Sequence, residues 1–316
     1  MWNTFLNCFV FEPRRRRFLA ITVVLALGVS ATLMTLALQD TGRPPRVDLE
    51  RQVSAYVADF SRNGPYRPPG AAERAGMSEG ITRLLDGRTD AARGPLSRAG
   101  YRVRTVRLAG SGRWVAQVTE AGGRTARRRG WGEVYIDLSS RVRWSAQVPH
   151  PVSDQHTELM GAELFSRAPG GVLVLAGANR HVGRGNAADV AHREDSLFDA
   201  VCGALTARRI PGIQIHGFAD DSSPGNDVVA SPGPGRPGAL VRRAARLLSA
   251  GGFEVCRAWR RDCGELEGTT NVQARRAAAR GVPFLHIENS RSVRDSPRAR
   301  SRVVGALVRV ATRLGR

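Results

Sequence analysis

Four short apolar segments recur through the second half of the chain: "GVLVLAG" (171–177), "GIQIHGF" (212–218), "FEVCRA" (253–258) and "VPFLHIE" (282–288). Helical patterns fall between and around them, near 155–167, 195–208, 237–250, 269–280 and 297–313. Short apolar strands that alternate with helices need cover on both faces of the sheet. The predicted fold of residues 148–316 is therefore α/β, a mostly parallel sheet with helices on both faces. In such folds the loops at the carboxyl ends of the strands carry the site. The Gly/Pro/Ser-rich stretch 221–238, ending in "VVASPGPGRPG", reads as a long loop past one strand end, a flap over a cleft.

Upstream the texture differs. Residues 49–96 are mainly helical, with apolar positions three and four apart in "LERQVSAYVADF" and "MSEGITRLL". Strand-like segments come next, at 101–108, 113–120, 133–138 and 141–148. The first, second and fourth alternate apolar with polar residues, as half-exposed antiparallel strands do. Residues 49–147 thus read as a small α+β accessory region, or as the entry hairpins of the α/β domain after them.

At the amino terminus "RRRR" (14–17) precedes 21 residues without a charge, 18–38. An apolar run of about 20 residues spans a bilayer as a helix, and it exceeds the apolar region of a signal peptide. The expected layout is a cytoplasmic basic tail (1–17), a single-pass transmembrane anchor (18–38) and a linker (39–48). The arginines before the span place the N-terminus in the cytoplasm and the C-terminal domain outside the cell membrane.

The net charge of +20 would suggest a nucleic-acid partner. However, all 48 basic residues are arginines, scattered along the chain with no dense face, and the topology sets the domain outside the cell. Nucleic acid is thus not the expected partner. Of the four cysteines, Cys256 and Cys263 either form a bridge suited to an oxidising compartment or are small core residues, as Cys202 is expected to be.

All six histidines lie between 150 and 286. His150 follows the segment 141–148, Arg180 and His181 follow 171–177, His216 nearly ends 212–218, and Glu288 ends 282–288 with His286 two residues before it. Polar groups at four strand ends would meet on one rim of the sheet. Each has a plainer reading: His216 as a core histidine, Asp154 as a helix N-cap, and His156 and Glu158 as first-turn surface. Asp189 and His192, in "GNAADVAHREDSLF", would be a second layer around the site or a charged loop. Glu288 is harder to dismiss, because a carboxylate closing an apolar strand is costly to bury unpaired. Two histidines and a carboxylate are a common ligand set for a catalytic zinc. "GMSEG" (76–80) lies in a helical pattern without the strand that a nucleophile elbow needs. "GPGRPG" (233–238) lies far from its strand and carries two prolines, so neither motif points to a site.

The order of these residues, with "FLHIENSRSVR" (284–294) closing the series, resembles the zinc-carboxypeptidase-like hydrolases. The similarity is strongest to the branch of N-formylglutamate amidohydrolases and phage poly-γ-glutamate hydrolases, and it covers residues 148–313. The resemblance implies zinc held by His150, His216 and a third ligand, with Glu288 as general base. It implies Arg180, then Arg294, for binding substrate anions. For the third ligand the family pattern H-x-x-E is replaced by His150-x-x-x-Asp154, and Glu158 is the other option. Asp189, His192, His286 and Glu158 are the expected supporting residues. The implied activity is a metal-dependent hydrolase of amide bonds in a carboxylate-bearing substrate, γ-glutamyl or derived from the cell envelope, small or polymeric. A non-catalytic envelope-binding domain and a phosphoester hydrolase using the same cluster are the alternatives.

Overall fold

The computed structural model describes residues 44–122 and 129–314. The tail, the apolar run 18–38 and linker residues 39–43 lie outside them. Among the described residues no helix is long and apolar enough to cross a membrane.

The described residues build one ten-stranded sheet in the order β1-β2-β3-β4-β6-β5-β7-β10-β8-β9. The strands are β1 Arg46–Val47, β2 Tyr101–Leu108, β3 Trp114–Glu120, β4 Glu133–Asp137, β5 Trp144–Val148, β6 Gly171–Leu175, β7 Gly212–Gly217, β8 Val228–Ser231, β9 Val255–Arg257 and β10 Phe284–Asn289. The helices are α1 Leu49–Ala58, α2 Ala71–Leu85, α3 Thr89–Arg98, α4 Thr157–Arg167, α5 Leu197–Ala207, α6 Ala239–Ala250, α7 Val272–Ala279, α8 Arg291–Asp295 and α9 Pro297–Ala311.

The sheet as a whole is mixed, but from β5 onward it is mostly parallel, with only the β8–β10 pair antiparallel. β6, β5, β7 and β10 run parallel at its centre, while β2 through β4 form an antiparallel meander that joins through β4 to β6. Residues 49–147 thereby contribute strands to the same sheet as 148–316. β1, inside the expected linker, pairs with β2.

Two expectations are corrected here. The flap assigned to 221–238 contains β8, which is buried and pairs antiparallel with β10. Its four residues "VVAS" are too short to stand out from the Gly/Pro around them. The segment 141–148 is not a half-exposed antiparallel strand either, because β5 is wholly buried and parallel to both neighbours. Its alternation separates two kinds of interior rather than interior from water.

That separation runs across the centre of the sheet. Trp144, Ala146, Val148, Ile213, Ile215, Leu285 and Ile287 pack into one apolar core with helices α1, α4, α6 and α9. Each buried Ile or Leu there contributes about 1.5–3 kcal/mol. The opposite face carries a second apolar core under α2, α3 and α5, built on the meander and β6. From β5 to β10, however, that face is polar: Ser145, Gln147, Gln214, His216, His286 and Glu288 are all buried. Register aligns them in rows, with Gln147 beside Gln214, Gln214 beside His286, and His216 beside Glu288.

The helices flanking this polar face start at side-chain caps. The Ser196 hydroxyl accepts from the Asp199 N–H at α5, and Asn271 Oδ1 accepts from Ala274 N–H at α7. Such caps contribute about 1 kcal/mol each. "GMSEG" lies inside α2, where Gly76 and Gly80 let α3 approach; a Cβ on either would meet Pro95 or Leu96. Cys256 and Cys263 form a disulfide, and Cys202 is a buried free thiol.

Candidate metal centre

Because β5, β6, β7 and β10 are parallel, their carboxyl ends share one edge of the sheet, and a cleft of about 570 Å³ opens there. His150, Asp154, Arg180, His216, His286 and Glu288 all line it. Each stands in, or a few residues beyond, the end of one of these strands.

The non-family spacing of His150 and Asp154 has a local cause. Asp154 N–H donates to the His150 carbonyl at 2.7 Å, closing a single turn. Residues four apart on one turn face the same way, so the Asp154 carboxylate comes within 3.6 Å of His150 Nδ1. The same Oδ2 lies 3.4 Å from His216 Nδ1 and accepts from Gly217 N–H at 3.2 Å. Asp154 does not cap α4; that position is held by His156, in a left-handed conformation at φ 73°. One ligand atom each from His150, Asp154 and His216 lies within 4.8 Å of the others, and all three residues are buried.

The outer contacts hold these atoms in place. His150 Nε2 lies 2.8 Å from Asp189 Oδ1, and Asp189 Oδ2 also accepts from Arg180 at 2.9 Å and contacts His192 Nδ1 at 3.1 Å. Asp189, bonded to His150 and His192, is thereby held well below the usual carboxylate range despite burial that would raise it. An ionised carboxylate only accepts, so His150 Nε2 carries the proton. In the neutral ring, the form that binds a metal, His150 Nδ1 is then the lone pair; it is buried and has no hydrogen-bond partner. His216 Nε2 lies 2.8 Å from Gln214 Oε1.

The charges respond to this packing. Burial alone would raise the Asp154 carboxyl, but the imidazoles of His150 and His216 hold it below its ordinary value. Burial and the adjacent His286 push the His216 imidazole down to about 3, so it is neutral at pH 7. Burial would lower His150 as well, yet Asp154 and Asp189 outweigh it and raise that imidazole. Glu288 is raised by burial. Its Oε1 lies 4.0 Å from His216 Nδ1 and 3.3 Å from His286 Nε2, and its Oε2 has no hydrogen-bond partner.

The donor set fits a divalent cation such as zinc. Two imidazole nitrogens and a carboxylate oxygen converge, and one of the nitrogens is an orphaned buried lone pair.

Not every expected residue reaches this cluster. Arg294 is buried, and its guanidinium donates to the carbonyls of Asn289, Gln155 and Phe218 at 3.0, 2.8 and 2.9 Å. It joins the ends of β7 and β10 to the turn before α4 and does not line the cleft. Glu158 is buried rather than on the helix surface, and it lies outside the ligand group. His156 pairs with Asp295 at 3.5 Å. The sequence reading missed Gln214, Gln147, Asn271 and Gln273. For Gln214 a signal was present in "GIQIHGF", where it stands two residues before His216 and so on the same side of the strand.

No protein-family model matches the chain, and no curated protein matches it. Solved structures with partial likeness include the gene product Atu2144 from Agrobacterium tumefaciens, at 13% identity and TM-score 0.36 over 55% of this chain and 88% of that one. A candidate carboxypeptidase A from Shewanella denitrificans has 12% identity and TM-score 0.37, covering 73% of this chain and 68% of its own. The LapA aminopeptidase of Legionella pneumophila has 8% identity and TM-score 0.34, covering 84% and 73%. The functional reading rests on side-chain geometry.

Proposed function

We propose that the chain is a metal-dependent hydrolase of amide bonds, with zinc held by His150, Asp154 and His216. The observation that carries this reading is the convergence of three ligand atoms on one buried point, with the His150 lone pair left unpartnered. A separation of His150 from His216 would have favoured a non-catalytic envelope-binding domain; their ring centroids are 5.1 Å apart.

A cation at this site supplies polarisation of the scissile carbonyl and of an attacking water. Glu288 is the proton acceptor: it lines the same cleft, and a carboxyl raised by burial is a better base than an exposed one. The proton it takes up passes on to the departing amine. Arg180 lines the cleft with its guanidinium anchored on one side by Asp189, which orients it towards a substrate carboxylate. The substrate class in this reading is an amide beside a carboxylate, γ-glutamyl or derived from the cell wall, as the resemblance to N-formylglutamate amidohydrolases and poly-γ-glutamate hydrolases suggests. The proposal includes anchoring by residues 18–38 and an extracytoplasmic domain, which a disulfide between Cys256 and Cys263 supports.

Metal content of the purified chain, together with hydrolysis of γ-glutamyl amides and of phosphoesters, tests the assignment. Stoichiometric zinc and amide hydrolysis that is lost in Glu288→Gln are expected. A metal-free protein with neither activity would sink it, and hydrolysis of phosphoesters alone would move the chain to the other reaction class.

A further inference from the structure

The hydrogen-bond roles around His216 are settled by groups that cannot reverse them. The Val190 carbonyl only accepts, so the Gln273 atom 2.9 Å away is the donor Nε2, which also reaches Asp199 Oδ1 at 3.0 Å. Arg276 in turn holds the Asp199 carboxylate at 2.5 and 2.8 Å. Gln273 Oε1 therefore faces Gln214 as an acceptor and receives its Nε2 at 3.2 Å.

A second chain reaches the same result independently. The Ala274 backbone N–H only donates, so the Asn271 atom that receives it is Oδ1. Asn271 Nδ2 then donates to Gln214 Oε1 at 2.6 Å. Both chains present the oxygen of Gln214, not its nitrogen, to His216 Nε2 at 2.8 Å. An amide oxygen carries no proton, so Nε2 must. Nδ1, 3.4 Å from Asp154, is left as a lone pair.

We infer that Gln214 is a positioning residue that locks His216 in the tautomer whose Nδ1 can bind metal, with Asn271 and Gln273 fixing the orientation of its amide. The inference rests on the metal-site reading above. The two histidines are thus held by different means: Asp189, a carboxylate, serves His150, while a neutral amide serves His216. Exchanging the oxygen and nitrogen of Gln214 would break its bonds with His216, Asn271, Gln147 and Gln273 together.

The test uses the full-length chain stripped of metal by a chelator, then titrated with Zn²⁺ against a chromophoric competitor. Wild type is compared with Gln214→Leu and Gln147→Leu. Gln147→Leu cuts the same network without touching His216. Gln214→Leu is expected to weaken Zn²⁺ binding about ten- to hundredfold, while Gln147→Leu stays near wild type. Equal losses in Gln214→Leu and Gln147→Leu, or none in Gln214→Leu, overturn the inference. Nitrogen-15 correlation spectra of the metal-free wild type read the tautomer without any variant. A proton on Nε2 of His216 is expected, and one on Nδ1 overturns the assignment. Wild type that binds no Zn²⁺ overturns the metal site itself, and this role of Gln214 with it.

Discussion

Asp189 Oδ1 lies 2.8 Å from His150 Nε2, and this one contact turns the other ring nitrogen, Nδ1, towards Asp154 with nothing to bond. Removing the carboxylate frees the ring to rotate or change tautomer. Asp189→Ala is expected to weaken Zn²⁺ binding about ten- to hundredfold, measured by competition titration. Unchanged affinity would show that Asp189 does not position His150.

A ligand that binds only the folded state stabilises it by mass action. Zinc at a free concentration 100 times its Kd should add about 2.7 kcal/mol to wild type. For a chain of this size that is a rise in Tm of roughly 5–10 °C. His216→Ala should lose most of the rise, and a scanning calorimeter reads the difference. Equal shifts in the two proteins would place the metal elsewhere.

The two arginines that sequence paired as anion binders should separate in their effects. Arg294→Ala leaves three carbonyls short of a donor, those of Asn289 and Phe218 buried and that of Gln155 partly so, a cost of roughly 3 kcal/mol or more. Its main consequence should be a lower Tm. Arg180→Ala should leave Tm nearly unchanged and raise KM for carboxylate-bearing amides. The reverse pattern would restore Arg294 to the substrate site.

Glu158 predicts a pH dependence of stability. Burial pushes its carboxyl up to about 7 from an ordinary 4.5, and Oε2 has no hydrogen-bond partner. Between these values the folded state binds more protons than the unfolded one, so stability falls as pH rises from about 4.5 to 7 and then levels off. Glu158→Gln removes this contribution and should gain up to about 3 kcal/mol relative to wild type at pH 8, and little at pH 4. Denaturant titrations across that range test it; parallel curves for the two proteins would refute it.

The site was legible where its residues stand at strand ends. His150, His216 and Glu288 could be placed because "GIQIHGF" and "VPFLHIE" read as strands, and parallel strands bring their carboxyl ends to one edge. Arg294 was misread because its neighbours in "NSRSVR" say nothing of the carbonyls that enclose it. β8 was missed because a four-residue strand, "VVAS", among prolines and glycines carries too little periodicity to count.

Sequence by itself determined the alternation of strands and helices, the polar positions within apolar strands, and the short chain distance between His150 and Asp154. These are local properties, readable from period and spacing. Tertiary structure alone decided that Gln147, Gln214 and His286 lie side by side, that the meander joins the same sheet, and that Asp154 rather than Glu158 stands with His150 and His216. Strand order and register bring together residues as far apart as 147 and 286, and no period in the chain encodes that pairing.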